Sequence, residues 1–353
     1  MNLAELGTLI APLEQGLHQS YRTERRAAPT SLRTYLDHLD EFTLRGGKRF
    51  RALLVLAGYH LVNGRTPRPA LRAAEALEHF QSWMLIHDDI IDHSELRRGG
   101  PTLHRLLSKR GLDGLEVADP DDLGRGLGIT LGDLEEPFTV QALLASSGPA
   151  ARRLRVLSEY VRMTRLTAYG QLMDIRNGAR PIDRVSESDV LLVHRLKSAV
   201  YSVSSPLVIG ALLAGGRDPL LEELRAIGDD LGVAFQLRDD MLGTGFGPEN
   251  PGKSANDLIE GKRTLLVVRA WHRGSSDDRA TLARVLGRPA ATPAEIAAAK
   301  SVIESTGSRA YSEVRIAALE GRALRRLDRS RRIAPARKPL VREIADRLIR
   351  RNR

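Results

Sequence analysis

Cysteine is absent from this chain of 353 residues, and aromatic residues make up only 4% of it. Without cysteine there are no disulfide bonds or thiolate ligands, so a bound metal ion must be held by oxygen or nitrogen atoms. The scarcity of aromatic residues, beside a hydrophobic fraction of 42%, favours helices over β-sandwiches and barrels. We therefore expect an all-α protein with a sizeable core.

The sequence also lacks a clear targeting or membrane-spanning segment. Residues 1–22 carry acidic side chains and have no basic stretch ahead of an apolar core, unlike a signal peptide. The most apolar stretch, residues 198–216, contains several serines and Pro206, which suit a buried helix better than a membrane span. We expect a cytoplasmic protein without an integral membrane segment.

Positive charge is in excess, with a formal net charge of +10, and arginine recurs throughout residues 322–353. A basic stripe is the electrostatic signature of nucleic-acid binding. No known nucleic-acid motif occurs, however, and the aromatic residues that stack on bases are missing from this stretch. We expect no nucleic-acid partner, and we interpret the basic C-terminal segment, residues 326–353, as a solvated tail or as part of a closing lid.

Most of the chain has the spacing of apolar residues that is typical of helices, and glycine, proline and aspartate separate the segments. No alternating run of strand length repeats with turn signals, and no interdomain linker is evident. The pattern predicts a single domain over residues 1–353. Its predicted helices cover residues 3–25, 31–44, 51–63, 68–93, 123–145, 149–177, 186–215, 219–242, 257–272, 277–286, 293–305, 307–325 and 339–351.

Three aspartates, Asp88, Asp89 and Asp92, stand together in the segment HDDIIDHSELRRGG. On a helix Gln81, Asp88 and Asp92 share one face, and Asp89 lies on its flank. Carboxylates packed this closely repel one another and raise each other's pKa unless cations neutralise them. Such oxygen ligands suit Mg²⁺, which binds to a few carboxylates and to substrate phosphate oxygens.

An exposed acidic helix end is the alternative explanation of this cluster. The apolar segment FQSWMLI at 80–86 comes directly before it, which predicts that Asp88 lies at the mouth of a buried region. Arg97 and Arg98 follow, and their planar guanidinium groups match phosphate oxygens. We therefore favour a magnesium site that binds a diphosphate.

A second acidic pair, Asp239 and Asp240, lies in the segment FQLRDDMLG, where it shares one helical stripe with Gln236 and Gly243. Alone, such a pair is typical of an exposed surface. Basic and polar residues elsewhere recur at the polar ends of apolar helices, which favours one shared polar cavity because a buried charge without a partner is costly. They are Lys48, Arg51, Gln171, Asp174, Lys197, Ser198, Lys253 and Lys262.

Taken together, the motifs GGKRFR, HDDIID…RRGGPTLH, YGQLMD, KS and FQLRDDMLG…GKSANDLIEGKRTLL resemble those of the trans-isoprenyl diphosphate synthases, or polyprenyl synthetases, in order and spacing. The resemblance extends from Gly46 to Leu266. It implies a large helical bundle of the isoprenoid-synthase type around a deep central cavity, usually a homodimer. It also implies a prenyltransferase that condenses isopentenyl diphosphate with an allylic diphosphate to give a short-chain all-trans product.

The resemblance implies a role for each aspartate. Asp88 and Asp92 would ligate Mg²⁺ on one wall of the cavity and Asp239 on the other, with Asp89 and Asp240 supporting them. We expect three ions for each active site, bound together with the allylic diphosphate.

The resemblance also divides the remaining polar residues between the two substrates. Those expected to bind or surround the allylic diphosphate are Arg97, Gln171, Asp174, Lys197, Ser198, Gln236, Lys253 and Lys262. Those expected to hold isopentenyl diphosphate are Lys48, Arg51, Gln81 and Arg98.

Two positions depart from the family's pattern. Ser198 stands where a threonine usually follows the lysine, and it retains the hydroxyl group. Gly243 stands where the second motif usually has its last aspartate. We expect this glycine to weaken the metal site or to leave water in place of the missing carboxylate.

Phe80, Trp83 and Met84 lie one or two turns before Asp88 on the predicted helix. A product chain that grows down this helix would meet them, although ordinary core packing explains these residues as well. In the family, a bulky residue at the position of Trp83 goes with short products. We therefore predict farnesyl or geranylgeranyl diphosphate as the product, and not a long-chain quinone tail.

Three other functions remain open. One is a head-to-head condensing synthase, although the acidic motifs of such enzymes are built differently. A class I terpene cyclase shares the metal site and the helical cavity, but it needs no isopentenyl diphosphate, so Lys48, Arg51 and Arg98 would have no role. The chain could also be a non-catalytic partner subunit of a heteromeric prenyl synthase, with Gly243 as the inactivating change.

Overall fold

The structure is a computed structural model, and it describes residues 1–110, 117–246 and 255–350. These residues fall into two compact units. Unit 1 consists of the described residues of Met1–Ser158 and Pro206–Gly216, and unit 2 of those of Glu159–Ser205 and Arg217–Arg353. The prediction of a single domain around one cavity stays a prediction.

Helices make up nearly all of the regular structure in the described part of the chain, which confirms the all-α class. The elements, in chain order, are α1 (Leu3–Gly7), α2 (Ile10–Ala27), α3 (Arg33–Leu44), α4 (Phe50–Asn63), α5 (Leu71–Ile91), β1 (Leu96–Arg97), β2 (Gly100–Pro101), α6 (Leu103–Arg110), α7 (Pro120–Leu144), α8 (Ala150–Ala179), α9 (Glu187–Val193), a π-helical segment (His194–Ser204), α10 (Ser205–Leu213), α11 (Asp218–Gly243), α12 (Asn256–Ile259), α13 (Leu265–Arg273), α14 (Ser276–Ala283), α15 (Pro293–Ser305), α16 (Ser308–Arg329) and α17 (Lys338–Ile349).

In unit 1, helix α5 packs against α7, and small residues on α7 set their separation. A Cβ atom at Gly132 would lie 2.6 Å from the ring of His87, and one at Gly128 would lie 3.0 Å from Ile90. Because glycine has no Cβ, the two helices can approach this closely at the end of α5 that carries Asp88. The glycine stripe therefore holds the aspartate-rich end of α5 in place.

A buried polar network joins four helices in the core of unit 1. Glu135 of α7 accepts a hydrogen bond from Tyr21 of α2 at 2.6 Å, and its other oxygen lies 2.7 Å from Nδ1 of His79 on α5. The hydroxyl oxygen of Tyr21 also lies 2.8 Å from that of Thr43 on α3, and it accepts there because its single proton is donated to Glu135. Burial, reinforced by the charge of Glu135, raises the pKa of Tyr21 well above its usual value, so the phenol stays protonated and donates.

In unit 2, helix α11 packs against the π-helical segment, α16 and α17. Paired hydrogen bonds join α11 to α16: Arg238 donates to Glu313 at 2.9 and 2.8 Å, and Arg322 donates to Asp230 at 2.8 and 2.6 Å. Thus α5 in unit 1 and α11 in unit 2 each carry an aspartate motif, and polar contacts with neighbouring helices fix each of them.

The basic C-terminal segment is folded through residue 350 and is not a free tail. Leu340, Val341 and Ile344 on α17 are each 1% exposed, while Arg342 and Arg347 lie on the outer face. The interpretation of this segment as a solvated tail is therefore wrong for its apolar face. Residues 351–353 lie outside the described residues, and with them residue 351, the predicted end of the last helix.

One continuous helical stretch, Glu187–Leu213, is the only one among the described residues that is long and apolar enough to cross a membrane. Its most apolar window is 78% buried inside the structure. It behaves as a core helix, as the serines and Pro206 predicted.

The predicted helices are confirmed in most segments, and the differences have local causes. The segments predicted at 3–25 and 257–272 are each broken into two helices, the second around Gly261, where φ is +74°. The short hairpin β1–β2 and helix α6 were not predicted. Arg98 has a φ of +52° in the hairpin turn, a conformation that residue type alone does not indicate.

The buried network predicts a specific loss of stability. Replacing Tyr21 by phenylalanine removes the donor to a buried carboxylate, so we expect the free energy of unfolding to fall by about 1–3 kcal/mol. Urea denaturation measures this. Tyr169→Phe is the control, because Tyr169 is 52% exposed. Equal stabilities of the two variants would contradict a structural role for the network.

Candidate active site

The first aspartate motif ends α5. Asp89 is fully buried, and it accepts two hydrogen bonds from Arg97, one of them from Nε at 2.9 Å. Burial raises the pKa of Asp89. The charge of Arg97 lowers this pKa, and the charges of Asp88 and Asp92 raise it further. Asp89 therefore fixes Arg97, whereas Asp88 and Asp92 are partly exposed at the same helix end.

The hairpin that follows α5 is docked onto the turn of the GGKRFR motif by two arginines. Arg98 donates to the carbonyl oxygens of Arg45 and Gly46 at 3.2 and 3.3 Å, and Arg45 donates to that of Pro101 at 2.7 Å. A Cβ atom at Gly47 would lie 3.1 Å from the guanidinium carbon of Arg98, and the φ of Gly47 is +104°. The structure thus brings two distant predicted motifs together.

Arg49, which was not predicted as a site residue, is buried beneath this turn and anchors it. Arg49 is 3% exposed, and its φ of +46° is left-handed. Its Nε lies 2.9 Å from the carboxylate of Glu14, and its Nη1 lies 3.4 Å from that of Glu78. Glu78 also accepts from the backbone N–H of Ala52 at 3.2 Å. Since Arg49 points inward, its neighbour Lys48 is exposed.

Positive charge is crowded around Arg98. Partial burial, together with the guanidinium groups of Arg49, Arg51 and Arg97, lowers the pKa of Arg98. Gln81, on α5, is buried, and its side-chain oxygen has no hydrogen-bond partner among the described residues. A crowded set of cations of this kind is suited to an anionic ligand.

In unit 2, Asp240 of the second motif is held by two neighbours. Gln236 donates to its Oδ1 at 2.9 Å, and Nε2 of His194 lies 3.0 Å from its Oδ2. Asp240 is 5% exposed, whereas Asp239 is only partly buried. His194 was not predicted, because nothing in its local sequence marks it as a partner of a residue 46 positions later.

Lys197 and Asp174, which were both predicted, form an ion pair in unit 2. Nζ of Lys197 donates to Oδ2 of Asp174 at 2.6 Å. Lys197 and Ser198 belong to the π-helical segment, and π-helical turns are frequent at functional sites. Gln171 lies one turn before Asp174 on α8 and is partly buried.

The end of α11 departs from the expectation for Gly243. A Cβ atom there would lie 2.6 Å from Cγ of Asp257, so a carboxylate, and not water, occupies this space. Burial raises the pKa of Asp257 to about 7; Lys262 opposes this shift, and Asp240 adds to it. Nζ of Lys262 lies 3.6 Å from Asp257 and 2.9 Å from Glu260. Lys253 lies outside the described residues.

The donor chemistry of these positions fits magnesium. Among the described residues, no group of three histidine, aspartate or glutamate side chains could hold a metal ion by itself. Magnesium sites that include substrate phosphate need only one or two carboxylates and keep several waters. Asp88 and Asp92 in unit 1, and Asp239 in unit 2, meet this requirement with oxygen ligands.

Comparisons with known proteins agree with this chemistry. Residues 33–303 match the polyprenyl synthetase family. The geranylgeranyl diphosphate synthase of Sulfolobus acidocaldarius is 31% identical over 262 residues, 73% of each chain. The geranylfarnesyl diphosphate synthase of Aeropyrum pernix is 32% identical over 273 residues, 76% of this chain and 79% of its own.

Solved structures give the same result. The geranylgeranyl pyrophosphate synthase of Corynebacterium glutamicum, solved with isoprenyl diphosphate and magnesium, superposes with a TM-score of 0.89 at 30% identity over 99% of both chains. The fold is that of the isoprenyl synthases, and the chain is a prenyltransferase. The chain belongs to the polyprenyl synthetase family.

The buried arginine gives a testable prediction. Arg49→Met leaves Glu78 buried without its cationic partner, so we expect the free energy of unfolding to fall by about 3–5 kcal/mol. Adding Glu78→Gln should recover part of this loss. Arg25→Met is the control, because Arg25 and Asp37 form an exposed pair at 2.6 Å that contributes at most about 1 kcal/mol. Equal losses in urea denaturation would rule out the anchoring role.

Proposed function

We propose that this prenyltransferase condenses isopentenyl diphosphate with an allylic diphosphate to give a short-chain all-trans prenyl diphosphate. The observation that carries the proposal is the docking of the RRGG hairpin onto the GGKRFR turn. It brings Arg98 onto the turn that continues into Lys48 and within electrostatic reach of Arg51, and Arg98 directly follows the arginine that Asp89 of the first motif holds. A second group of phosphate-binding cations is expected of an enzyme with two diphosphate substrates, and a cyclase has only one.

The allylic diphosphate is the substrate whose C–O bond must ionise. Arg97 and Lys197 donate hydrogen bonds to its phosphate oxygens, and Asp89 and Asp174 hold these two cations in position beforehand. Cations that are fixed before reaction stabilise the departing negative charge without reorganisation. Asp88, Asp92 and Asp239 would hold magnesium, which would supply further positive charge to the leaving diphosphate.

Isopentenyl diphosphate is held by the second group of phosphate-binding residues, and its double bond attacks the allylic carbon. One C–C bond forms as the C–O bond breaks, and a proton lost from the isopentenyl unit passes to the released diphosphate. No side-chain base is needed for this step. Exclusion of water is needed, because water would quench the carbocation. The residues that hold this second substrate are Lys48, Arg51, Gln81 and Arg98.

The finer features of the proposal follow the family. We propose that three Mg²⁺ ions would bind with the allylic diphosphate, that the chain forms a homodimer and that it acts in the cytoplasm. The polar residues around the allylic diphosphate are Gln171, Ser198, Gln236, Lys253 and Lys262.

We propose that the product length is limited by side chains on α5. Phe80 is fully buried and meets the ring of Trp83 edge-on, with 5.7 Å between the ring centres. Trp83 and Met84 are partly exposed, one or two turns before Asp88. Bulky residues at this place support a farnesyl or geranylgeranyl product.

The activity is tested with the purified chain, Mg²⁺, labelled isopentenyl diphosphate and an allylic primer (dimethylallyl, geranyl or farnesyl diphosphate). We expect label in a prenyl diphosphate, and its loss on chelation of the metal. Cyclised hydrocarbon formed without isopentenyl diphosphate would instead identify a terpene cyclase. Turnover only after a second chain is added would identify a partner subunit.

Trp83→Ala tests the chain-length assignment. Removal of the indole ring opens space along α5, so we expect mass spectrometry to find products at least one isoprene unit longer. Trp271→Ala is the matched control, because Trp271 is the only other tryptophan and lies on α13. An unchanged product from Trp83→Ala would refute the assignment.

A further inference from the structure

Thr43 is the residue at which the buried network of unit 1 meets the turn of the GGKRFR motif. It stands in the last turn of α3 and is fully buried. Its hydroxyl oxygen lies 2.8 Å from that of Tyr21, 2.9 Å from that of Ser82 and 3.2 Å from a carboxylate oxygen of Glu135. Its backbone carbonyl oxygen accepts a hydrogen bond from Nη1 of Arg49 at 2.9 Å. One residue therefore contacts both the network and the arginine that anchors the turn.

The end of α3 helps to fix Arg49 beneath this turn. Nη1 of Arg49 lies 2.9 Å from the carbonyl oxygen of Thr43, and Nη2 lies 3.2 Å from that of Leu44. The last carbonyl groups of a helix have no donor within the helix, so the guanidinium group satisfies them. The contact of Nη1 with the carboxylate of Glu78 is longer, at 3.4 Å. A shift of Thr43 would therefore move Arg49 and the turn that carries Lys48.

Helix α5 is held on both sides of Gln81, which we expect to bind isopentenyl diphosphate. Glu78, three residues earlier, contacts Arg49 at 3.4 Å, and Ser82, the next residue, contacts the hydroxyl group of Thr43 at 2.9 Å. Gln81 itself is 7% exposed, and its side-chain oxygen has no hydrogen-bond partner in the part of the chain that the structure describes. The contacts of its neighbours therefore fix the backbone from which this carboxamide extends.

The hydroxyl group of Thr43 distinguishes a positioning role from ordinary core packing. Valine differs from threonine mainly in lacking the hydroxyl group, so it preserves most of the packing. Because Tyr21 gives its proton to Glu135, the hydroxyl group of Thr43 donates to Tyr21. This directional bond holds α3 in one position against α2. A displacement of about 1 Å among groups that hold a substrate can cost about 100-fold in rate.

We propose that Thr43 is a positioning residue of the isopentenyl diphosphate site. Its hydroxyl group aligns α5, which carries Gln81, with the turn that carries Lys48 and leads into Arg51. The inference rests on the proposed function, because that function assigns isopentenyl diphosphate to these residues. The allylic diphosphate is assigned to other residues, so its binding should depend much less on Thr43.

Steady-state kinetics of the full chain with Mg²⁺ test the proposal, with isopentenyl diphosphate and geranyl diphosphate varied in turn. Thr43→Val removes the hydroxyl group, so we expect the KM for isopentenyl diphosphate to rise by about 10- to 100-fold and that for geranyl diphosphate by less than about threefold. Isothermal titration calorimetry with isopentenyl diphosphate should show the same loss of affinity. This second measurement is needed because KM equals the dissociation constant only when the chemical step is slow.

Two further variants make the test specific. Thr43→Ser retains the hydroxyl group, so we expect it to restore most of the affinity for isopentenyl diphosphate. Thr139→Val is the matched control, because Thr139 is also fully buried but its hydroxyl group donates to the backbone carbonyl of Glu135 within α7, at 2.8 Å. It removes a buried hydroxyl group and leaves the contacts of α3 in place, so we expect no selective change for either diphosphate.

Ser82→Ala tests the same contact from α5 if urea denaturation shows that Thr43→Val does not fold. It removes the hydroxyl group that lies 2.9 Å from that of Thr43, so we expect the same selective rise in the KM for isopentenyl diphosphate. An equal rise for both diphosphates, or a rise no larger than that of Thr139→Val, would contradict the inference.

The outcomes separate this inference from the proposed function. If Thr43→Val keeps the KM of the unmodified protein for isopentenyl diphosphate, or if Thr43→Ser loses as much affinity as Thr43→Val, the inference is wrong. Turnover by the unmodified protein would then still support the proposed function. If the unmodified protein neither binds isopentenyl diphosphate nor turns it over, the proposed function is wrong, and the inference with it.

Discussion

The structure depends on pairing cations at the helix ends and turns of the proposed site with carboxylates of the protein. Asp89 fixes Arg97, Asp174 fixes Lys197, and buried Glu78 lies beside Arg49, which anchors the turn that carries Lys48. Side chains that must grip a polyanion repel one another when the polyanion is absent. Their partners keep them in place, so that little reorganisation is required when the diphosphate binds.

Close backbone approach is the second device that builds the site. Gly132 lets α7 contact the aspartate-bearing end of α5, Gly47 makes room for the guanidinium group of Arg98, and Gly243 makes room for the carboxylate of Asp257. In each case the glycine of one segment leaves space that a side chain of another segment occupies. The departure at Gly243 is thereby a packing feature of the second motif.

Much of this could be predicted from sequence where the signal is local. Helix α15 was predicted residue for residue, because Thr292 and Glu295 form a capping box at its start. The pairing of Lys197 with Asp174 was not predicted as such, although both residues were. His194, Arg45, Arg49 and the contact of Asp257 with Gly243 were missed, since each depends on segments far apart in the chain. The π-helical segment was also missed, because its apolar spacing over a few turns differs little from that of an α-helix.

In the proposed site, carboxylates of both motifs bind magnesium together with a diphosphate. Anomalous diffraction from crystals soaked with Mn²⁺ and inorganic diphosphate tests it most directly, because manganese takes oxygen ligands as magnesium does and its position can be located. We expect manganese at Asp88 and at Asp239, each ion sharing oxygen atoms with diphosphate. Manganese at only one motif, or diphosphate bound without manganese, would contradict it.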